Sequence, residues 1–208
     1  MTGHINIVGL GGSLALRSSS LAALRIALEG AGRAGAVTEL FDVRELDLPI
    51  YDPEERNPPD SVRRLCDAVA NADGLIWSSP LYHGTISGAF KNALDWLQLL
   101  SARNPPYLTD KVVGLVGAAG GTHGLQAINT MEYVVRALRG WTVPLVVPVS
   151  RSWAAFDSSG AAADPQLAKQ LKALGEEVTR MARVISAGPL TGVTAAKAAT
   201  LLPVPPAK

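Results

Sequence analysis

The run Lys111-Val112-Val113-Gly114-Leu115-Val116-Gly117-Ala118 is apolar from its second residue to its last. A strand with one wet face alternates, so a strand this uniform is covered on both faces. Helices on the two sides of a sheet give that cover, and they come with parallel strands joined by helical crossovers. The rest of the chain follows the same plan. His4–Gly9, Ala36–Phe41, Asp73–Ser79 and Trp141–Val149 read as four further strands. The last is an edge strand, because Pro144 and Pro148 cannot donate to a ladder. Helical patterns alternate with these strands. The first runs from about Leu21 to Gly30 or slightly beyond, capped by Ser18, Ser19 or Ser20, and the second, capped by Asp60 or Ser61, carries Val62, Leu65 and Val69. The others carry Phe90, Ala93, Leu94 and Leu97, then Leu125–Leu138, then Leu167 to Ile185. Five strands and five helices in alternation make a doubly wound α/β sheet, for which two strand orders are common.

With 208 residues, 48% of them hydrophobic, the chain is long enough for one domain with a sizeable core. We expect residues 1–187 to form that domain, and 188–208, rich in alanine, threonine and proline, to be a flexible tail. Residues 44–59 and 151–163 read as surface loops. The net charge of +1 asks for neither nucleic acid nor a membrane surface. No secretory signal and no apolar run long enough to span a bilayer is found, and the lone Cys66 suits a reducing compartment. A cytoplasmic location is therefore expected. Cys66 reads as a small core or surface residue, and no His, Cys and carboxylate cluster has metal spacing, so no metal is expected.

Three loops carry the chemistry. After the first strand, Gly9 and Gly11 fit a dinucleotide fingerprint, but Leu14 stands where its third glycine would permit close helix–strand contact. No Gly-Lys-Ser/Thr completes a P-loop. What remains is Ser13, Arg17, Ser18, Ser19 and Ser20 at a helix N-terminus, where free N–H groups and the helix dipole favour an anion; a capped turn with nothing bound is the alternative. The third strand ends in Pro80-Leu81-Tyr82-His83-Gly84, and the fourth in Ala119-Gly120-Gly121-Thr122-His123. In the order 2-1-3-4-5 these loops converge at one sheet end: hydroxyls for a phosphate, a tyrosine loop for a flat ring, a glycine pair for close approach. That division of labour suits flavin mononucleotide. Tyr82 as ordinary packing, and His83 and His123 as exposed loop residues, are the plainer alternatives.

At these residues the chain resembles the NADPH-dependent FMN reductase family. The resemblance covers about residues 5–150. It rests on Gly12-Ser13 through Ser20, on Ser79-Pro80-Leu81-Tyr82-His83-Gly84 with Ser87-Gly88, on Lys91-Asn92-Ala93-Leu94-Asp95-Trp96, and on Gly120-Gly121. Ala15 departs from it, standing where arginine often follows Gly-Ser-Leu, with Arg17 as the candidate substitute. The resemblance implies a flavodoxin-like three-layer fold and a five-stranded parallel sheet in the order 2-1-3-4-5. It implies Ser13, Arg17, Ser18 and Ser20 on the FMN phosphate. Pro80, Leu81, Tyr82, His83 and Gly84 would line the ring and ribityl chain, with Ala119, Gly120, Gly121 and Thr122 against the ring. It also implies a homodimer or homotetramer, with the helix through Trp96 at the interface. The function expected is hydride transfer from NADPH or NADH to FMN and on to a small-molecule acceptor, with no catalytic side chain. An FMN-binding electron carrier and a non-catalytic interaction module are the alternatives.

Overall fold

A computed structural model describes residues 4–187. Its first strand, β1 (Ile5–Gly11), buries Ile5 and Ile7 in one core and Val8 and Leu10 in another. With both faces apolar, β1 has to lie inside the sheet. It pairs in parallel with β2 (Ala36–Asp42) and with β3 (Gly74–Tyr82). A two-residue strand, β4 (Thr85–Ile86), folds back antiparallel on the end of β3. Then β5 (Val112–Ala118) pairs with β3, and β6 (Trp141–Val149) with β5, both in parallel. The order is β2-β1-β3-β5-β6. This is the expected order of parallel strands, the short β4 accounting for the shift in numbering. β2 and β6 are its edges, and beside Pro144 the pairing of β6 with β5 slips in register.

Helices α1 (Ser19–Arg33) and α6 (Pro165–Ser186) pack on one face over Ile7, Ile76 and Val116. On the other face α3 (Asp60–Asn71), α4 (Gly88–Trp96) and α5 (Gly124–Ala137) cover Leu10, Trp77 and Leu115. Ser18 is the cap of α1, accepting from the Leu21 N–H at 3.1 Å, so the helix starts at Ser19 and continues past Gly30. Neither Asp60 nor Ser61 caps α3. Pro59 holds that position without a side-chain bond, and Asp60 supplies first-turn negative charge to the helix dipole. The expected loop 44–59 opens with one helical turn, α2 (Val43–Leu46), whose cap Asp42 accepts from the Arg44 N–H at 3.0 Å. The expected tail, 188–208, lies outside the described residues.

Trp96 is a correction. Expected at an interface, it is 1% exposed in the core behind α4. Its indole N–H donates to the Pro49 carbonyl at 2.9 Å, and the Asn92 amide donates to the same oxygen at 2.8 Å. The Tyr51 N–H donates to Asn92 Oδ1 at 2.8 Å, and the Tyr51 ring meets Trp96 edge-on at 5.1 Å. The Asn92…Trp96 pair thus pins the loop between β2 and α3. Lys91 and Asp95 form the expected exposed pair at 2.6 Å, worth about 0.3–0.5 kcal/mol.

Cys66 is buried against this same helix, its thiol donating to the Trp96 carbonyl at 3.5 Å. Burial, with Asp67 adding to it, pushes the thiol up to about 11. Two units above the ordinary thiol value of 9.0, the native thiolate population at pH 8 falls by about a hundredfold. The folded state holds this proton more tightly than the unfolded chain. The stability involved is present below pH 9 and is lost as pH rises toward 11. Iodoacetamide at pH 8 is expected to label the native protein slowly and the guanidinium-unfolded protein fully; equal rates would show the site open.

Candidate functional site

Because β1, β3, β5 and β6 are parallel, the loops after them emerge at one end of the sheet. That end is where ligands gather in open α/β sheets. The three loops singled out above do meet there, and their meeting is held by specific bonds. The Gly12 N–H donates to the Ser78 carbonyl at 2.8 Å, and the Ser78 hydroxyl donates to the Ser20 carbonyl at 2.7 Å. Ser87 caps α4, accepting from the Phe90 N–H at 3.1 Å, and its own hydroxyl donates to the Gly12 carbonyl. The Ser87 N–H donates to Ser79 Oγ at 3.1 Å. The Ser79…Ser87 pattern is therefore a brace between the β1 and β3 loops.

The cleft between them holds about 260 Å³. Its walls include Ser13, Arg17, Ser18 and Ser20 from the first loop, Pro80, Leu81 and Tyr82 from β3, and Gly120 after β5. His83 and Gly84 are not among its lining residues. They form the two-residue turn of the β3–β4 hairpin, with φ of 50° and 87°, the doubly positive geometry that suits the twist of a tight hairpin. Ala119, Gly121 and Thr122 are also outside the lining, Ala119 being buried and its N–H donating to the Val149 carbonyl at 2.8 Å. His123 sits at the start of α5, exposed.

The proton inventory of the first loop shows what it can bind. Ser18 Oγ accepts from Leu21 and shares a 3.0 Å bond with Ser20 Oγ, which leaves that pair one hydroxyl proton to donate elsewhere. Ser13 Oγ accepts from the Ala15 N–H at 3.1 Å and keeps its proton. Ser19 is different: its hydroxyl donates to the Ser152 carbonyl at 2.6 Å. The first N–H groups of α1 have no partner inside the helix. Arg17 is the cation on the cleft wall among the described residues. Hydroxyl protons, helix N–H groups and a guanidinium around one hollow fit a phosphate monoester.

The opposite wall fits a flat ring. A Cβ built on Gly120 meets nothing within 4 Å, and its φ is not in the left-handed region. Among the described residues neither packing nor backbone conformation demands glycine there, and a closely approaching ligand would. Among the described residues, no N–H of Gly120, Gly121 or Thr122 donates to the chain.

Sequence reasoning missed Ser152 and Trp153, which close the cleft from the loop after β6. The Ser152 N–H donates to the Ala119 carbonyl at 2.9 Å. Their signal was positional: a loop at the carboxyl end of the strand beside β5 belongs to the same rim. Among the described residues no group of three or more His, Cys, Asp or Glu is placed to hold a metal, and no helix is long and apolar enough to cross a membrane.

Residues 5–154 match the model of a family described as NADPH-dependent FMN reductase. The chain is 28% identical over 185 residues to the NADPH-dependent FMN reductase ArsH of Shigella flexneri, covering 87% of this chain and 70% of that one. It is 31% identical over 154 residues to an FMN-dependent NADPH-azoreductase of Staphylococcus aureus, covering 72% and 79%. Against other curated relatives the chain spans about half of their length. A solved structure of the flavoenzyme NAD(P)H:(acceptor) oxidoreductase FerB from Paracoccus denitrificans is similar with a TM-score of 0.71 at 19% identity, covering 86% and 98%; that likeness bears on fold.

Proposed function

The chain belongs to the NADPH-dependent FMN reductase family, and from that premise we propose that it binds FMN in the three-loop cleft and reduces it with NAD(P)H. The observation that carries this reading is the pairing of an anion cradle at Ser13, Arg17, Ser18 and Ser20 with the bare wall at Gly120. Bound FMN would supply the redox chemistry, that of a two-electron carrier between NAD(P)H and a small acceptor such as free flavin, a quinone, an azo compound, a metal ion or oxygen.

This chain's residues bind and orient. The Ser13 hydroxyl and the remaining proton of the Ser18–Ser20 pair would hold the phosphate, with Arg17 neutralising it. Pro80, Leu81 and Tyr82 would lie along the ribityl chain and ring, with His83 and Gly84 setting the hairpin that presents them. The free N–H groups of Gly120, Gly121 and Thr122 would stabilise negative charge at the ring edge, with Ala119 fixing their loop. No side chain needs to act as nucleophile or general base. In this reading residues 1–187 act as one FMN-binding domain of a cytoplasmic homodimer or homotetramer. Exposed Tyr133 and Trp141, with the free Cys66, support that extension, and sedimentation tests the assembly.

The test is direct. FMN-loaded protein mixed anaerobically with NADPH or NADH is expected to lose its flavin absorbance and regain it when an azo dye or quinone is added. No bleaching with either donor overturns the reading.

A further inference from the structure

A second groove, of about 480 Å³, opens from the cleft and shares Arg17, Ser18, Ser19, Ser152 and Trp153 with it. It runs between α1 and the loop after β6. The 2.6 Å bond from Ser19 Oγ to the Ser152 carbonyl ties its two walls together at the cleft end. Farther along, a Cβ on Gly160 would be 3.8 Å from Ala22 Cβ, so the loop rests on α1. The turn between is held by Asp157, whose carboxylate accepts from the Ser159 hydroxyl at 2.6 Å and from the N–H groups of Ser159 and Ala161. Those bonds, the Ser159 hydroxyl foremost, hold its carboxyl below the usual range. This carboxylate is thus occupied within its own loop.

Arg25 lies on the groove wall and forms no ion pair or hydrogen bond among the described residues. It stands two turns beyond the Ser18 cap, about 10 Å along the helix axis. Arg25 lines this groove and is not on the wall of the cleft that holds Ser13, Ser18 and Ser20. Trp153, also on the wall, is 77% exposed, a large aromatic surface left to water. A free guanidinium and an open indole in a groove continuous with a flavin cleft suit an anionic group and a base on one ligand. The cavity lined by Asp110 and Trp141 lies at the amino ends of β5 and β6, the far end of the sheet, and cannot share a ligand with the cleft.

We propose that this groove binds the 2′-phosphoadenosine half of the hydride donor, with Arg25 on the 2′-phosphate and Trp153 against the adenine, and that it selects NADPH over NADH. The proposal rests on the flavin reductase reading. A 2′-phosphate brings about two negative charges that NADH lacks, and Arg25 is the residue placed to reward them.

The experiment is calorimetric titration of the FMN-loaded protein, its phosphate cradle already filled, with adenosine 2′,5′-bisphosphate and, separately, with 5′-AMP. The bisphosphate is expected to bind at least about tenfold more tightly. Arg25→Ala is expected to erase that difference, Arg25→Lys to retain part of it, and Trp153→Ala to weaken both ligands. In kinetics, Arg25→Ala should raise KM for NADPH about tenfold or more relative to KM for NADH. Failure of the bisphosphate to bind, or an Arg25→Ala protein that binds it as the parent does, overturns the proposal. Bisphosphate binding without flavin bleaching by NADPH would instead keep the groove and remove the reductase reading.

Discussion

Gly175→Ala is expected to cost about 3 kcal/mol of stability and to lower the melting temperature by roughly 6–12 °C. Gly175 sits where α6 crosses α1. A Cβ there would run into the Ala27 carbonyl oxygen and stand 2.6 Å from the Ala31 amide nitrogen. Both obstacles are backbone, so no side chain can turn aside, and the helices must part. Parting them opens the core of Leu24, Ala27, Leu174 and Val178, all completely buried. Gly30 makes the reciprocal contact from α1, where a Cβ would come 2.7 Å from the carbonyl carbon of Lys172. One separation relieves both clashes, so Gly30→Ala added to Gly175→Ala should cost less than the sum of the two. Thermal unfolding of the parent, both single variants and the double variant measures this. A single Gly175→Ala protein melting within a degree of the parent would refute the close crossing.

The second large effect falls on ligand binding and leaves the fold alone. Gly120→Leu is expected to weaken FMN binding at least a hundredfold, while the melting temperature without flavin stays within about 2 °C of the parent. A Cβ at Gly120 meets nothing within 4 Å among the described residues, so a side chain there starts in open space. The proposed ring position is what it would occupy. Gly12 provides the contrast, because a Cβ there would lie 2.7 Å from the Phe90 ring. Its replacement by alanine should therefore cost stability whether or not flavin is present. Fluorescence titration with FMN, beside a melt of the flavin-free protein, separates the two glycines. A Gly120→Leu protein that binds FMN normally would displace the ring from this wall.

Gly12 and Gly120 look alike in the sequence, each following a strand and each beside a second glycine. One is required by the phenylalanine of a helix far along the chain, the other by nothing among the described residues. The Asn92…Trp96 pattern was equally legible as a motif and equally silent about its partner. Its role comes from Pro49 and Tyr51, more than forty residues away in the chain. His83-Gly84 reads as part of a ligand loop, but the hairpin makes it the turn that carries Tyr82. Ser152 and Trp153 came to the cleft unannounced, since Ser152 meets Ser19 across 133 residues.

From sequence alone, period and polarity determined five parallel strands, two helical layers and serine and glycine loops at one end of the sheet, because these follow from local burial and from the rule that parallel strands share their carboxyl ends. Tertiary structure alone decided which hydroxyls keep a proton to give, which glycine stands empty-walled, and that Arg25 and Trp153 share a groove. Each of these depends on distances between segments far apart in the chain, set by strand register and by the closeness of α1 to α6, and no local pattern carries such distances.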